Sequence, residues 1–218
     1  MAKPHPLEKS AAEPASANPK RPLWGRWVRS AIALCANLCA TAAVPTLPTL
    51  AFQEADLERL LKVGVCSRCN LRAAELPGED LQEAMLVQAN LQGADLSDTN
   101  LTGAILVQAN LVDALLNDAN LESANLRNVG LVRADLSRAR LTDADLMGAD
   151  LRNANLTDAN LQSASLMGVN LDGATLKNTN LLDADLRGAI VSVETIRWAR
   201  LCRTRLPDSS WANRDCRS

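Results

Sequence analysis

Six cysteines and a single histidine limit the chemistry open to this 218-residue chain. Cys66 and Cys69 form a C-x-x-C pair, and Cys202 and Cys216 stand near the other end. Cys35 and Cys39 each follow a leucine, not the small residue that lipidation usually needs. One C-x-x-C supplies two zinc ligands, and His5 is the sole histidine, so these residues do not assemble a four-ligand site. A thioredoxin-type motif would need alternating strands and helices around it, and no such pattern is present. Proton transfer most often uses histidine, and an activated serine or cysteine needs a base. With no tyrosine and histidine confined to position 5, only carboxylates, lysines and thiols remain. Asp98, Asp118 and Asp158 fall in one column of residues spaced by multiples of twenty, which reads as a solvated acidic face. The expectation is a protein that is not an enzyme and holds neither metal nor cofactor.

A repeat must position these residues. From Leu71 to Leu186 every fifth residue is leucine, 24 in unbroken phase. Alanine stands two places before the leucine in 18 of them, and Asn or Asp directly before it in 16. A helix needs apolar positions about every 3.6 residues and a strand every two, so a period of five fits neither. A five-residue step can turn one large and one small apolar residue inward if the chain bends at each step. Four such steps close a square coil.

The A(D/N)LXX pattern, clearest in Ala89-Asn90-Leu91 and Ala94-Asp95-Leu96, resembles the pentapeptide-repeat family. That resemblance implies an all-β solenoid, a right-handed quadrilateral β-helix. It places leucine along the axis, with Leu91, Leu96, Leu101, Leu106, Leu111 and Leu116 in its most regular part, and alanine at the corner beside it. Val129 and Val169 suit that corner in size; Glu79, close to Pro77 and Gly78, does not, so the first coil is expected to be irregular there. Six coils at a strand spacing of about 4.8 Å would make a rod about 29 Å long.

Residues twenty apart then stack. Asn70, Asn90, Asn110, Asp150 and Asn170 share one column, and Asn100, Asn120, Asn160 and Asn180 another. Their side chains are expected to bond backbone groups at the bends and one another, as structural groups. One outer face carries Met85, Val87, Ile105, Val107, Met147 and Met167, interrupted by Arg127 and Asp145. It is the most apolar face, hence the candidate interaction surface. No cleft is expected.

The flanks divide the chain into four parts. Residues 1–53 read as an export segment: a basic stretch through Lys20, Arg21, Arg26 and Arg29, an apolar run from Ala31 to Val44, and small residues leading to Ala51. That apolar run is shorter than a spanning helix of about 20 residues. Residues 54–65 read as a short amphipathic helix capping the solenoid, with Leu57, Leu60 and Leu61 on one side and Gly64 at its end. Residues 66–190 are the β-helix, and 191–218 a last irregular coil and C-terminal cap. There Val191, Ile196, Leu201 and Leu206 keep the phase, and Trp198 and Trp211 are expected to close the end. The region 71–190 holds 17 acids and 8 bases; the last 28 residues hold six bases and three acids.

The four cysteines beyond Ala51 allow three pairings. In a rod of this length Cys66 and Cys69 lie at one end and Cys202 and Cys216 at the other, beyond the roughly 7 Å reach of a disulfide. The expected pairs are Cys202–Cys216 and Cys66–Cys69, with two buried thiols as the alternative for the latter. The segments Cys66-Ser67-Arg68-Cys69 and Leu201-Cys202-Arg203-Thr204-Arg205-Leu206-Pro207-Asp208, with the later Asn213-Arg214-Asp215-Cys216, resemble exported pentapeptide-repeat proteins of the thylakoid-lumen type in cyanobacteria and plants. Ser209 stands where that tail more often has glycine. The resemblance implies export to a thylakoid lumen or periplasm.

The expected function is a non-catalytic structural or protein-interaction solenoid, with an unidentified protein partner and room for a homodimer. Nucleic acid is not expected as a partner, because the shaft is acidic and lacks aromatic stacking residues. Stable membrane insertion after cleavage is not expected either. One alternative is a DNA mimic acting on a topoisomerase, as the resemblance implies for some family members. The other is redox control through the cysteine pairs.

Overall fold

Backbone hydrogen bonding between residues twenty apart organises the chain. The computed structural model describes residues 54–216; residues 1–53, read above as an export segment, lie outside them. Parallel bridges join Val65 to Met85, Asn70 to Asn90, Glu75 to Asp95 and Asp80 to Asn100, and continue in the same register to the pair Asp185–Arg205. Four bridges per twenty residues make each coil four-sided.

The backbone N–H groups of a pentapeptide are satisfied in a recurring way, and this accounts for the sequence pattern. Leu91 donates to Asn110 of the next coil at 2.8 Å, and Gly93 to Val112 at 2.9 Å. Ala94 closes a turn onto Leu91 at 3.0 Å, and Asn110 donates back to Ala89 at 2.9 Å. The residue after leucine has no such backbone partner. Its N–H goes to the Asn or Asp side chain two places before it: Gln92 to Asn90 at 3.3 Å, Ser97 to Asp95 at 3.0 Å, Met147 to Asp145 at 3.0 Å. Where Asn or Asp precedes the leucine, as in 16 of the 24 repeats, its side chain therefore supplies the acceptor that the coil lacks. The same amides also stack, Asn180 on Asn160 at 2.8 Å and Asn110 on Asn90 at 3.3 Å.

Every fifth residue from Arg68 to Gly188 has positive φ. It is the third residue of the turn, where a type II geometry demands that conformation. Seven of these positions are glycine and nine are Asp or Asn, the types that tolerate it best. Ser209, at φ 67, takes the same conformation in the tail.

The core is a column of side chains, not a layer. Every repeat leucine from Leu71 to Leu186 is buried, with alanine or a substitute beside it. Burying each leucine contributes roughly 1.5–3 kcal/mol. Where threonine replaces alanine its hydroxyl finds a partner: Thr99 and Thr179 donate to the carbonyls of Leu76 and Leu156, both at 2.7 Å. The irregularity expected at Glu79 is absent. Glu79 keeps the turn bond to Leu76 at 3.3 Å and Asp80 its bridge to Asn100, because the half-buried glutamate leaves the backbone path unchanged.

At the start, helix α1 spans Glu54–Val63 and buries Leu57 and Leu60. Its Asp56 carboxylate accepts the N–H of Asn70 at 2.9 Å. Near the end, the short helix α2, Val193–Ile196, replaces one side of a coil, with Ser192 capping it through the N–H of Thr195. The bridge that Thr175 would make to Thr195 is missing accordingly. Strand β1, Thr204–Arg205, rejoins the ladder, and strand β2, Trp211–Ala212, lies antiparallel on it.

Candidate interaction surfaces

The bridges from Val65 through Met85, Ile105, Asn125, Asp145, Ser165 and Asp185 to Arg205 run along one face. Met85, Val87, Ile105, Val107, Met147 and Met167 all lie on it, as the spacing implies. Met85 is 42% exposed, and the other five are half-buried against their neighbours in the column. Arg127 and Asp145 cross this stripe as an ion pair at 3.0 Å. Beside it runs a polar rail in which Arg68 donates to Gln88 and Gln88 to Gln108, both at 2.8 Å. A flat, half-apolar strip with a polar margin suits contact with another protein.

The corners carry ion pairs between coils. Arg133 grips both oxygens of Asp113 at 2.6 and 2.7 Å, and Arg138 those of Asp118 at 2.7 and 2.5 Å. The arginine bonds hold the Asp113 and Asp118 carboxyls below the usual range. Asp118 is thus paired and Asp158 accepts from Asn178 at 3.0 Å, whereas Asp98 stands exposed, as a solvated face implies. A carboxyl with a lowered folded pKa contributes stability above its unfolded pKa, about 4, and loses it as pH falls through the lower folded value. Arg138→Gln should therefore melt below the parent at neutral pH, and the difference should vanish in acid strong enough to protonate Asp118 in the folded chain. Thermal melts under the two conditions check this.

The cysteine-bearing ends differ. Cys66 and Cys69 occupy the leucine and alanine positions of the first coil, bonded to each other with Cα atoms 5.3 Å apart. The Asp56 carbonyl lies 3.1 Å from the Cys66 sulfur. The Asp56 side chain also comes close to both sulfurs, a juxtaposition that sequence spacing did not reveal. The sulfurs are already bonded to each other, which leaves no thiolate pair for a metal. Cys202 is bonded to Cys216, Cα atoms 4.8 Å apart, tying β2's segment to the last coil.

Two expectations fail at this end. Trp198 and Trp211 do not close it: they are 64% and 59% exposed. Leu201, Cys202 and Thr204 fill the last coil instead, leaving no room for a ring. A cleft does exist, an open groove of about 680 Å³ lined by Asp183, Asp185, Arg187, Arg203, Arg205 and Trp211 among others. It forms because β2 stands out from the square coil as a rung of opposite direction, which the five-residue phase alone does not foretell.

Pentapeptide repeats match in eight copies, over residues 65–103, 94–131, 130–166 and 154–192. Comparison with curated proteins returned no match. Among solved structures, HetL, a pentapeptide repeat protein involved in heterocyst differentiation regulation in the cyanobacterium Nostoc sp. strain PCC 7120, is 35% identical; the alignment covers 68% of this chain and 78% of that one, with a TM-score of 0.35. Rfr23 from the cyanobacterium Cyanothece 51142 is 28% identical over 63% of this chain and 98% of that one, TM-score 0.24. A pentapeptide repeat protein of the Arabidopsis thaliana thylakoid lumen is 26% identical over 57% and 70%, TM-score 0.20. With its repeats matched over more than half its length and its coils bridged every twenty residues, the chain belongs to the pentapeptide repeat family and is a right-handed quadrilateral β-helix.

Proposed function

We propose that this chain is a non-catalytic solenoid that docks a protein partner on its Met85–Met167 face, in an oxidising compartment reached by export. The observation that carries the reading is the face itself: one apolar strip on a rod whose other outer columns are mainly polar. Export to a thylakoid lumen or periplasm is supported by the basic-then-apolar composition of residues 1–53 and by the paired cysteines at both ends, since disulfides persist in oxidising compartments. Helix α1 serves as the N-terminal cap and the disulfide-tied tail as the C-terminal one, each covering strand edges that would otherwise invite pairing. No helix among the described residues is long and apolar enough to cross a membrane.

Recovery of the native protein from fractionated cells, with intact mass of the recovered chain, tests the reading. The expected product starts near residue 52, has lost two hydrogens per disulfide, and carries a bound protein. Met85→Glu, Ile105→Glu and Val107→Glu together should abolish that co-recovery and leave the melting temperature nearly unchanged, because these side chains lie outside the leucine column. Unchanged co-recovery sinks the face. A full-length chain found in the cytosol with a topoisomerase sinks both the face and the compartment in favour of DNA mimicry.

A further inference from the structure

The described residues hold two aromatic side chains, Trp198 and Trp211, and both lie exposed at the same end. Each is covered by an arginine: the Arg197 guanidinium is 5.3 Å from the Trp198 ring centroid, and that of Arg205 is 4.6 Å from the Trp211 centroid. Tryptophan and arginine are the residues that most often dominate protein–protein contacts. Here they concentrate where the charge also changes sign. Residues 187–216 carry six arginines against three acids, while the shaft is acidic.

The groove beside Trp211 narrows the kind of ligand. Arg203 is held by both oxygens of Asp183, and Arg187 by Asp185. Among the described residues no carboxylate reaches ion-pair distance of Arg205; Asp185, its neighbour in the ladder, feels its charge but is gripped by Arg187. A guanidinium stacked on a ring keeps its N–H groups in plane and free, the geometry for gripping a carboxylate with two bonds. Across the sheet, Arg205 of β1 is paired with Trp211 of β2, which brings the guanidinium and the ring together on one side of the groove. Asp183 and Asp185 on the groove wall would repel a continuous phosphate backbone, yet they leave Arg205 open to an isolated carboxylate.

We propose that the groove between β1, β2 and the Asp183–Arg187 segment binds an extended acidic peptide of a protein partner, with Arg205, stacked on Trp211, taking a carboxylate. The site lies at the C-terminal end of the face that carries Met85, but it uses none of the apolar residues and does not depend on the docking proposed for them.

A fluorescein-labelled peptide alternating glutamate with threonine, titrated against the oxidised full chain and read by anisotropy, tests this. Binding is expected, and Arg205→Ala and Trp211→Ser should each weaken it at least tenfold. Trp211→Phe, which keeps a ring under the guanidinium, and the Met85→Glu, Ile105→Glu, Val107→Glu chain should bind like the parent. Circular dichroism of each variant must match the parent; Trp211→Phe against Arg205→Lys then remains decisive if Trp211→Ser unfolds the tail, since lysine cannot form the stacked two-bond grip. Affinity equal to the parent's in both Arg205→Ala and Arg205→Lys overturns the proposal. So does heparin or an anionic phospholipid vesicle that binds as tightly as the peptide, or Arg205-dependent self-association that excludes it.

Discussion

Leu121→Ala is expected to lower stability by about 3–5 kcal/mol, near the top of the range for a large-to-small core substitution. Leu121 is buried in the axis, midway along the column. Its backbone is bonded on both sides, Leu121 to Arg140 at 2.7 Å and Asn120 to Thr99 at 2.9 Å. The coils cannot close in on the vacated space without breaking such bonds, so the cavity persists and its full cost is felt. The same change at Leu176 should cost less, because the coil beyond it is already interrupted by α2 and can relax. Since each coil contacts only its neighbours, a weakened middle should also separate the melting of the two halves. Calorimetry reads both effects. A loss below about 1 kcal/mol at Leu121, the scale of a surface substitution, would mean that the column can collapse.

The second large effect concerns register. Removing residues 127–146 deletes one whole coil, takes out both Arg127 and Asp145, and sets Met147 in the column directly after Val107. Removing only residues 132–136 leaves the leucine phase unbroken but turns everything downstream by a quarter of a coil. Both chains should fold, because axis and turns are conserved. Recovery of the partner should survive the first deletion and drop at least tenfold in the second, in which Met147 and Met167 leave the face of Met85 and Ile105. Co-recovery from cells expressing each variant measures this. Equal recovery in both would show that the two parts of the strip are not read together.

Much of this was legible in the residues. A leucine every five positions, with alanine two before it, has few physical solutions, and the stacking of residues twenty apart followed from it. The Asn and Asp before leucine were recognised as structural, bonding the bends and one another; which group they serve was not legible, namely the N–H after leucine that has no backbone acceptor. The frequent Gly, Asn and Asp two places after leucine were a further signal of the left-handed turn, available from composition and not used. The C-terminal end was less legible. The period says where a residue would sit in a regular coil, and α2 and β2 leave that coil. Trp198 and Trp211 therefore could not be placed by phase, and their size suggested burial where the structure puts them outside. Asp56 near the cysteine pair escaped for a similar reason, since a helix docking angle is not encoded in a five-residue count.

The position of those two tryptophans also decides what light can report. From Glu54 onward no other tryptophan or tyrosine is present. Ultraviolet emission from that part of the chain therefore comes wholly from one extremity, and twenty-four leucines in the shaft are optically silent. An unfolding curve followed by emission would trace the loosening of the tail around Cys202 and Cys216, and could finish while the rod stands intact. Amide signals in the far ultraviolet would then lag behind it, and the gap between the two curves would measure how independently the end of this protein lets go.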